Sequence, residues 1–68
     1  MSQSIRNRIP GTILEITSDK VLTEVVLETA IGPVAAVITT RSVNELGLKV
    51  GDSVYALVKA TNVSVEKD

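Results

Sequence analysis

The sequence predicts an all-β chain of five short strands, with a single helical segment between the third and the fourth. Three observations carry that expectation. Runs of Val, Ile, Leu and Thr recur along the chain, several with period-two alternation, bounded by Gly, Pro, Asp and Asn clusters that favour turns. One segment alone, around residues 40–47, carries the chemistry of helix ends. Aromatic residues are nearly absent: Tyr55 is the only one, so Ala, Val, Ile and Leu must supply the core.

The first strand is expected over Thr12–Ile16, with Pro10-Gly11 marking a bend at its start and Ser18-Asp19-Lys20 a turn at its end. Val21–Thr29 alternates most clearly. Glu24 and Glu28 share a face with Leu22 and Val26, and Val21, Thr23, Val25, Leu27 and Thr29 form the other. Ile31-Gly32-Pro33 supplies the turn of a meander. Val34–Thr39 is apolar on both faces, the pattern of a strand covered on both sides. In the segment that follows, Ser42 and Glu45 stand at capping-box spacing and Gly47 suits a helix stop, so Val43 and Leu46 are expected to face inward. Val50-Gly51-Asp52 turns the chain into a fourth strand over Ser53–Lys59, and a fifth is expected over Asn62–Glu66. Five antiparallel strands with a helix after the third is the layout of a small OB-like barrel. No internal repeat is present, and residues 1–68 read as one domain.

Sixty-eight residues bury a small core. A chain of this size removes only about 60% of its unfolded surface from water when it folds alone. Disulfides, a structural metal or self-association normally compensate. With no Cys and no His, disulfides and thiolate or imidazole metal sites are excluded, which leaves an oligomer. Seven basic and eight acidic residues give a net charge of −1, which argues against nucleic acid or an anionic membrane as partner. The polar N-terminus lacks the pattern of a signal peptide and no run approaches a membrane span, so the expected location is cytoplasmic.

Three polar clusters interrupt the apolar strands: Ser4-Ile5-Arg6-Asn7, Thr39-Thr40-Arg41-Ser42 and Lys59-Ala60-Thr61-Asn62. Together they hold cations, hydroxyls and a helix start, a set suited to a dehydrated tetrahedral dianion. Hydroxyls donate without adding charge, and Arg or Lys adds charge-assisted hydrogen bonds about twice as strong as neutral ones. Each cluster also has a plainer account. Ser42 with Glu45 serves as a helix cap, Thr39 as a strand former, Lys59 as a solvated edge charge and Arg6 as part of a frayed end.

The order of these clusters resembles that of the molbindins, the small molybdenum-binding proteins of bacteria. Ser4-Ile5-Arg6-Asn7 with Gly11-Thr12-Ile13 is similar to their opening motif, and Val37-Ile38-Thr39-Thr40-Arg41-Ser42 with Leu46-Gly47-Leu48 to their middle one. Val50-Gly51-Asp52 and Leu57-Val58-Lys59-Ala60-Thr61 resemble the closing segments. The likeness runs in register from Ser4 to Val65, and extends to ligand-binding domains of molybdate-responsive regulators and accessory domains of molybdate transporter ATPases. It implies a single TOBE-like domain, a homohexamer built as a trimer of dimers, and molybdate, or tungstate, held between subunits. Ser4, Arg6 and Lys59 would come from one subunit, with backbone amides around Ile5, Ala60 and Thr61 and the Thr61 hydroxyl as a further candidate. Thr39 and Ser42 would come from the facing subunit. Arg41 departs from the family pattern and is left outside the set.

Other classes remain as alternatives. A nucleic-acid-binding OB module stacks bases on aromatic side chains, and this chain has one. Catalysis needs a nucleophile with a base, a metal or paired carboxylates, and the acidic residues fall singly, so no enzyme is expected. A purely structural oligomerisation domain is the third alternative.

Overall fold

The computed structural model describes residues 6–68. Strands β1 (Arg6–Ser18), β2 (Leu22–Thr29), β3 (Gly32–Thr39) and β4 (Ser53–Lys59) form one antiparallel sheet in the order β3-β2-β1-β4, with helix α1 (Thr40–Leu46) between β3 and β4. The expected all-β class with one short helix after the third strand is therefore correct. The five-stranded barrel is not: among the described residues the sheet has four strands and is open.

The alternation in β2 works as its sequence implies. Thr23, Val25, Leu27 and Thr29 are buried, while Glu24 and Glu28 face outward with the half-exposed Leu22. Val21 lies outside the strand and is exposed. Ile13, Val25, Leu27 and Val43 make the core, with Ile16, Ile38, Leu48, Val54 and Ala56 packed on it.

Strand β1 runs well beyond Thr12–Ile16, through Pro10 and Gly11 rather than starting after them. It serves two partners, pairing β4 over Arg6–Thr12 and β2 over Gly11–Ser18. Proline fits because the Ile13 amide donates toward the β4 side, to Asp52 O at 2.9 Å. Alternation then turns residue 10 to the opposite flank, where β2 pairing has not begun. At Gly11 both neighbours converge, and a Cβ there would lie 2.9 Å from Glu28 O and 3.0 Å from a Thr29 methyl. Gly11→Ala should therefore cost about 1–3 kcal/mol of stability, read from urea unfolding. A bulge between Ile13 and Glu15 leaves Leu14 unpaired and half exposed. It returns Ile16 to the core side, since Ile13 and Ile16 face Leu27 and Val25, two buried residues of one face.

Helix α1 is capped three residues earlier than the Ser42–Glu45 spacing implied. Thr39 is the N-cap, its Oγ1 accepting the Ser42 amide at 3.1 Å, so Ser42 occupies the place where a capping box has its Glu. At the other end Gly47 adopts the left-handed conformation (φ 64, ψ 37). The Leu48 amide reaches Val43 O and the Gly47 amide reaches Asn44 O, the paired bonds of a Schellman motif. That motif turns Leu48 inward in place of Leu46, which is 68% exposed, contrary to expectation.

Strand β3 was expected to be covered on both faces; it is a sheet edge, and Val37 on its outer face is exposed. The fifth strand over Asn62–Glu66 does not form. After Lys59 the chain makes one 3₁₀ turn, Ala60–Asn62, closed by the Val63 amide on Ala60 O, and runs on without strand structure. Val63 and Val65 find no apolar surface there and stay exposed.

Candidate oxyanion site

The two ends of the candidate site are built by different parts of the sheet. At the first corner β1 begins and β4 ends, which sets Arg6 directly opposite Lys59. Opposed residues of an antiparallel pair share a face, with Cβ atoms about 4.5–5.5 Å apart. Arg8, two residues on, falls on that face too and stacks over the Tyr55 ring, its guanidinium carbon 4.1 Å from the ring centroid. Three cations thus share one face of one corner, where like charges directly opposite each other are destabilising. Local rules of this kind are broken at functional or strained sites. Ala60 and Thr61 open the 3₁₀ turn immediately after Lys59, so their amides belong to the group that such a turn's own bonds leave free. Ser4 and Ile5 lie outside the described residues.

The second corner holds Thr39 and Ser42. Thr39 Oγ1 accepts the Ser42 amide and donates its proton to Ser42 Oγ at 2.7 Å. Its hydroxyl hydrogen is thereby used within the chain. Ser42 Oγ, having accepted that hydrogen, keeps its own to donate outward. Of the two hydroxyls, Ser42 is the available donor and Thr39 aims it. Arg41 is exposed beside them.

One chain does not join these corners. Lys59 ends edge strand β4 and Thr39 ends the other edge strand, β3. Because β3 and β4 run in opposite directions, their C-terminal ends also lie at opposite ends of the sheet. Arg6 and Ser18 terminate β1 at these two ends, and that 13-residue strand has a contour of about 40 Å. Arg6, Lys59, Ala60 and Thr61 are brought together; Thr39 and Ser42 are brought together elsewhere.

Between the two edges lies an open trough of about 1050 Å³. Residues 34–38 of β3 line one wall, residues 54–58 of β4 the other, and Arg6 and Arg8 border it. Among the described residues, no group of three or more His, Cys, Asp or Glu could hold a metal ion, and no helix is long and apolar enough to cross a membrane.

Asp19 secures the turn between β1 and β2 near the second corner. Its carboxylate accepts the Leu22 and Val21 amides at 2.8 and 2.7 Å, and these bonds, Leu22 first, hold its pKa below the ordinary 3.8 against a small opposing effect of burial. A folded-state pKa lowered in this way adds stability that is present above pH 3.8 and lost as pH falls through the folded value. Asp19→Asn should remove that acid-limb loss, measured as melting temperature between about pH 5 and 2 in both proteins.

Arg8 and the Thr23 hydroxyl carry no role in the sequence pattern, and Thr40 stands in the second cluster without its partners being apparent. The period-two spacing Arg6-x-Arg8 was the available signal for the first. The hydroxyls carried none, because their contacts cross from strand to helix.

The fold and the two corners define a small all-β module with cations grouped at one corner and paired hydroxyls at the other. The TOBE domain family matches residues 3–65, and the chain belongs to that family. It is 41% identical over 66 residues to "Molybdenum-pterin-binding protein 2" of Clostridium pasteurianum, covering 96% of this chain and 97% of that one. To the "Probable molybdenum-pterin-binding protein" of Haemophilus influenzae it is 35% identical, covering 96% of each. Its fold is similar to that of the solved structure of MopII from Clostridium pasteurianum, with TM-score 0.87, 39% identity, and coverage of 97% of this chain and 100% of that one. It is equally similar to a molybdate-binding protein from Sporomusa ovata, with TM-score 0.90, 40% identity, and coverage of 98% and 100%.

Proposed function

We propose that the chain binds molybdate, with tungstate as a near-isosteric alternative, and stores it between the subunits of a homohexamer arranged as a trimer of dimers. The observation that carries this reading is the placement of Arg6 opposite Lys59, two cations whose mutual repulsion a doubly charged guest reverses. The relatives support the identity of the guest, since a protein 40% identical over nearly the whole length is a molybdate-binding protein.

The diagonal separation of the corners supports the need for more than one copy. Ser4, Arg6 and Lys59, with the amides of Ile5, Ala60 and Thr61, form one half of the site, and Ser42 held by Thr39 forms the other half from a facing subunit. The open trough, whose lining includes the exposed Val37, Tyr55 and Leu57, supplies apolar surface for assembly. The role is capture and release inside the cytoplasm, with no bond made or broken; the chain offers neither His nor Cys for catalysis.

A ligand that binds only the assembled form stabilises it by about 2.7 kcal/mol at a hundredfold excess over Kd. The test combines native mass, bound molybdenum per subunit and melting temperature with and without molybdate. A saturable stoichiometry on a hexamer and a rising melting temperature are expected. A monomer that neither binds nor responds to millimolar molybdate contradicts the proposal, and salt-sensitive retention of single-stranded nucleic acid in its place points to the other use of an OB-like fold.

A further inference from the structure

Thr23 is 1% exposed, and among the described residues it and Ile13 are the side chains most fully enclosed by the fold. A hydroxyl at such a position must find partners inside the protein. It finds two, Ser18 Oγ at 2.7 Å and Thr40 Oγ1 at 2.9 Å. The direction of these bonds follows from the last member of the chain. Thr40 Oγ1 donates to Asp19 O at 2.8 Å, so it must accept from Thr23, and Thr23 must in turn accept from Ser18. The Thr40 amide also donates to Val21 O at 2.9 Å. The first residue of α1 is therefore bonded by main chain and side chain to the β1–β2 turn, which the Asp19 carboxylate stiffens from within.

Thr40 adjoins the cap residue Thr39, whose hydroxyl aims Ser42 Oγ. Resting on the proposed site, we infer that Thr23 and Thr40 are positioning residues: their hydroxyl chain clamps the start of α1 to the β1–β2 turn and so sets where the Thr39–Ser42 pair meets an oxyanion from the facing subunit. Neither residue touches the ligand. In metal sites, outer residues that orient the direct ligands change affinity about 10–100-fold when removed, and an effect of the same order is expected for a clamp of this kind.

The decisive variant is the double Thr23→Val/Thr40→Val, because replacing both partners by apolar groups of the same shape leaves no orphaned buried hydroxyl. A merely structural role predicts molybdate affinity unchanged at a melting temperature close to the parent's. The clamp predicts that similar melting temperature together with about tenfold or greater weakening of molybdate binding by calorimetry. It also predicts faster amide exchange at Ser42 and Val43. Thr40→Ser, which keeps the hydroxyl, should bind as the parent does, and Thr40→Ala should show the loss; this pair decides the matter should the double variant fail to fold. Parent-like affinity in the double variant, or equal affinity in the Thr40 pair, overturns the clamp while Ser42→Ala still weakens binding. If Ser42→Ala, Arg6→Ala and Lys59→Ala all bind as the parent does, the site itself is wrong and the clamp falls with it.

Discussion

Lys59→Ala, and separately Arg6→Ala, is expected to weaken molybdate binding by about 10–100-fold, the equivalent of one hydrogen bond to a charged group at about 1.5–3 kcal/mol. The same substitutions should leave the ligand-free protein as stable as before or slightly more so. This second half follows from the sheet register. Arg6 and Lys59 are exposed and directly opposite each other, so either truncation removes a like-charge pair from an antiparallel ladder. Side chains that held the fold together would move stability and affinity in the same direction. Side chains that give up some stability to capture an anion move them in opposite directions. Calorimetric titration with molybdate, beside thermal melts with and without it, reads both quantities. Unchanged affinity in both variants would remove these residues from the site, and a large loss of ligand-free stability would make them structural.

Much of the fold could be read from local pattern because local pattern is what builds it. The alternation of Thr23, Val25, Leu27 and Thr29 sets the buried face of β2, and Gly47 stops α1 in a conformation that favours glycine. The misreadings have a common physical origin in partners that lie far away along the chain. Arg6–Arg8 and Pro10-Gly11 look unlike strand residues, yet β4 and β2 recruit them from both sides of β1. The bulge at Leu14 exists to align Ile13 and Ile16 with Leu27 and Val25, and the run Ile13-Leu14-Glu15-Ile16 does not announce it. Val63 and Val65 have strand composition, but the 3₁₀ turn at Ala60 leaves them without a ladder.

The same division applies to the candidate site. Arg6, Lys59, Thr39 and Ser42 could be picked out by residue type and motif order. The opposition of Arg6 to Lys59 depends on the β1–β4 register, and the subordination of Thr39 to Ser42 depends on where the helix starts. The hydroxyl chain through Thr23 is legible only in three dimensions, since a buried Thr on a strand looks like any β-former.

Ala36→Asp should abolish molybdate binding although it alters none of the residues assigned to the site. Ala36 pairs with Val25 in the β2–β3 ladder, so it faces the core side of the sheet and lines the trough between the two edge strands. In a single chain the trough is open and a carboxylate there reaches water, so the fold should survive by circular dichroism. In an assembly that covers the trough, the carboxylate would be unpaired and desolvated, at an effective penalty of several kcal/mol. The expected product is a folded monomer with both half-sites intact and no partner to join them. Ala36→Ser, small and uncharged at the same place, should assemble and bind as the parent does. A hexameric Ala36→Asp protein that still takes up molybdate would show that the trough around Ala36 stays open to water in the assembly, and that the apolar contacts between subunits are made elsewhere.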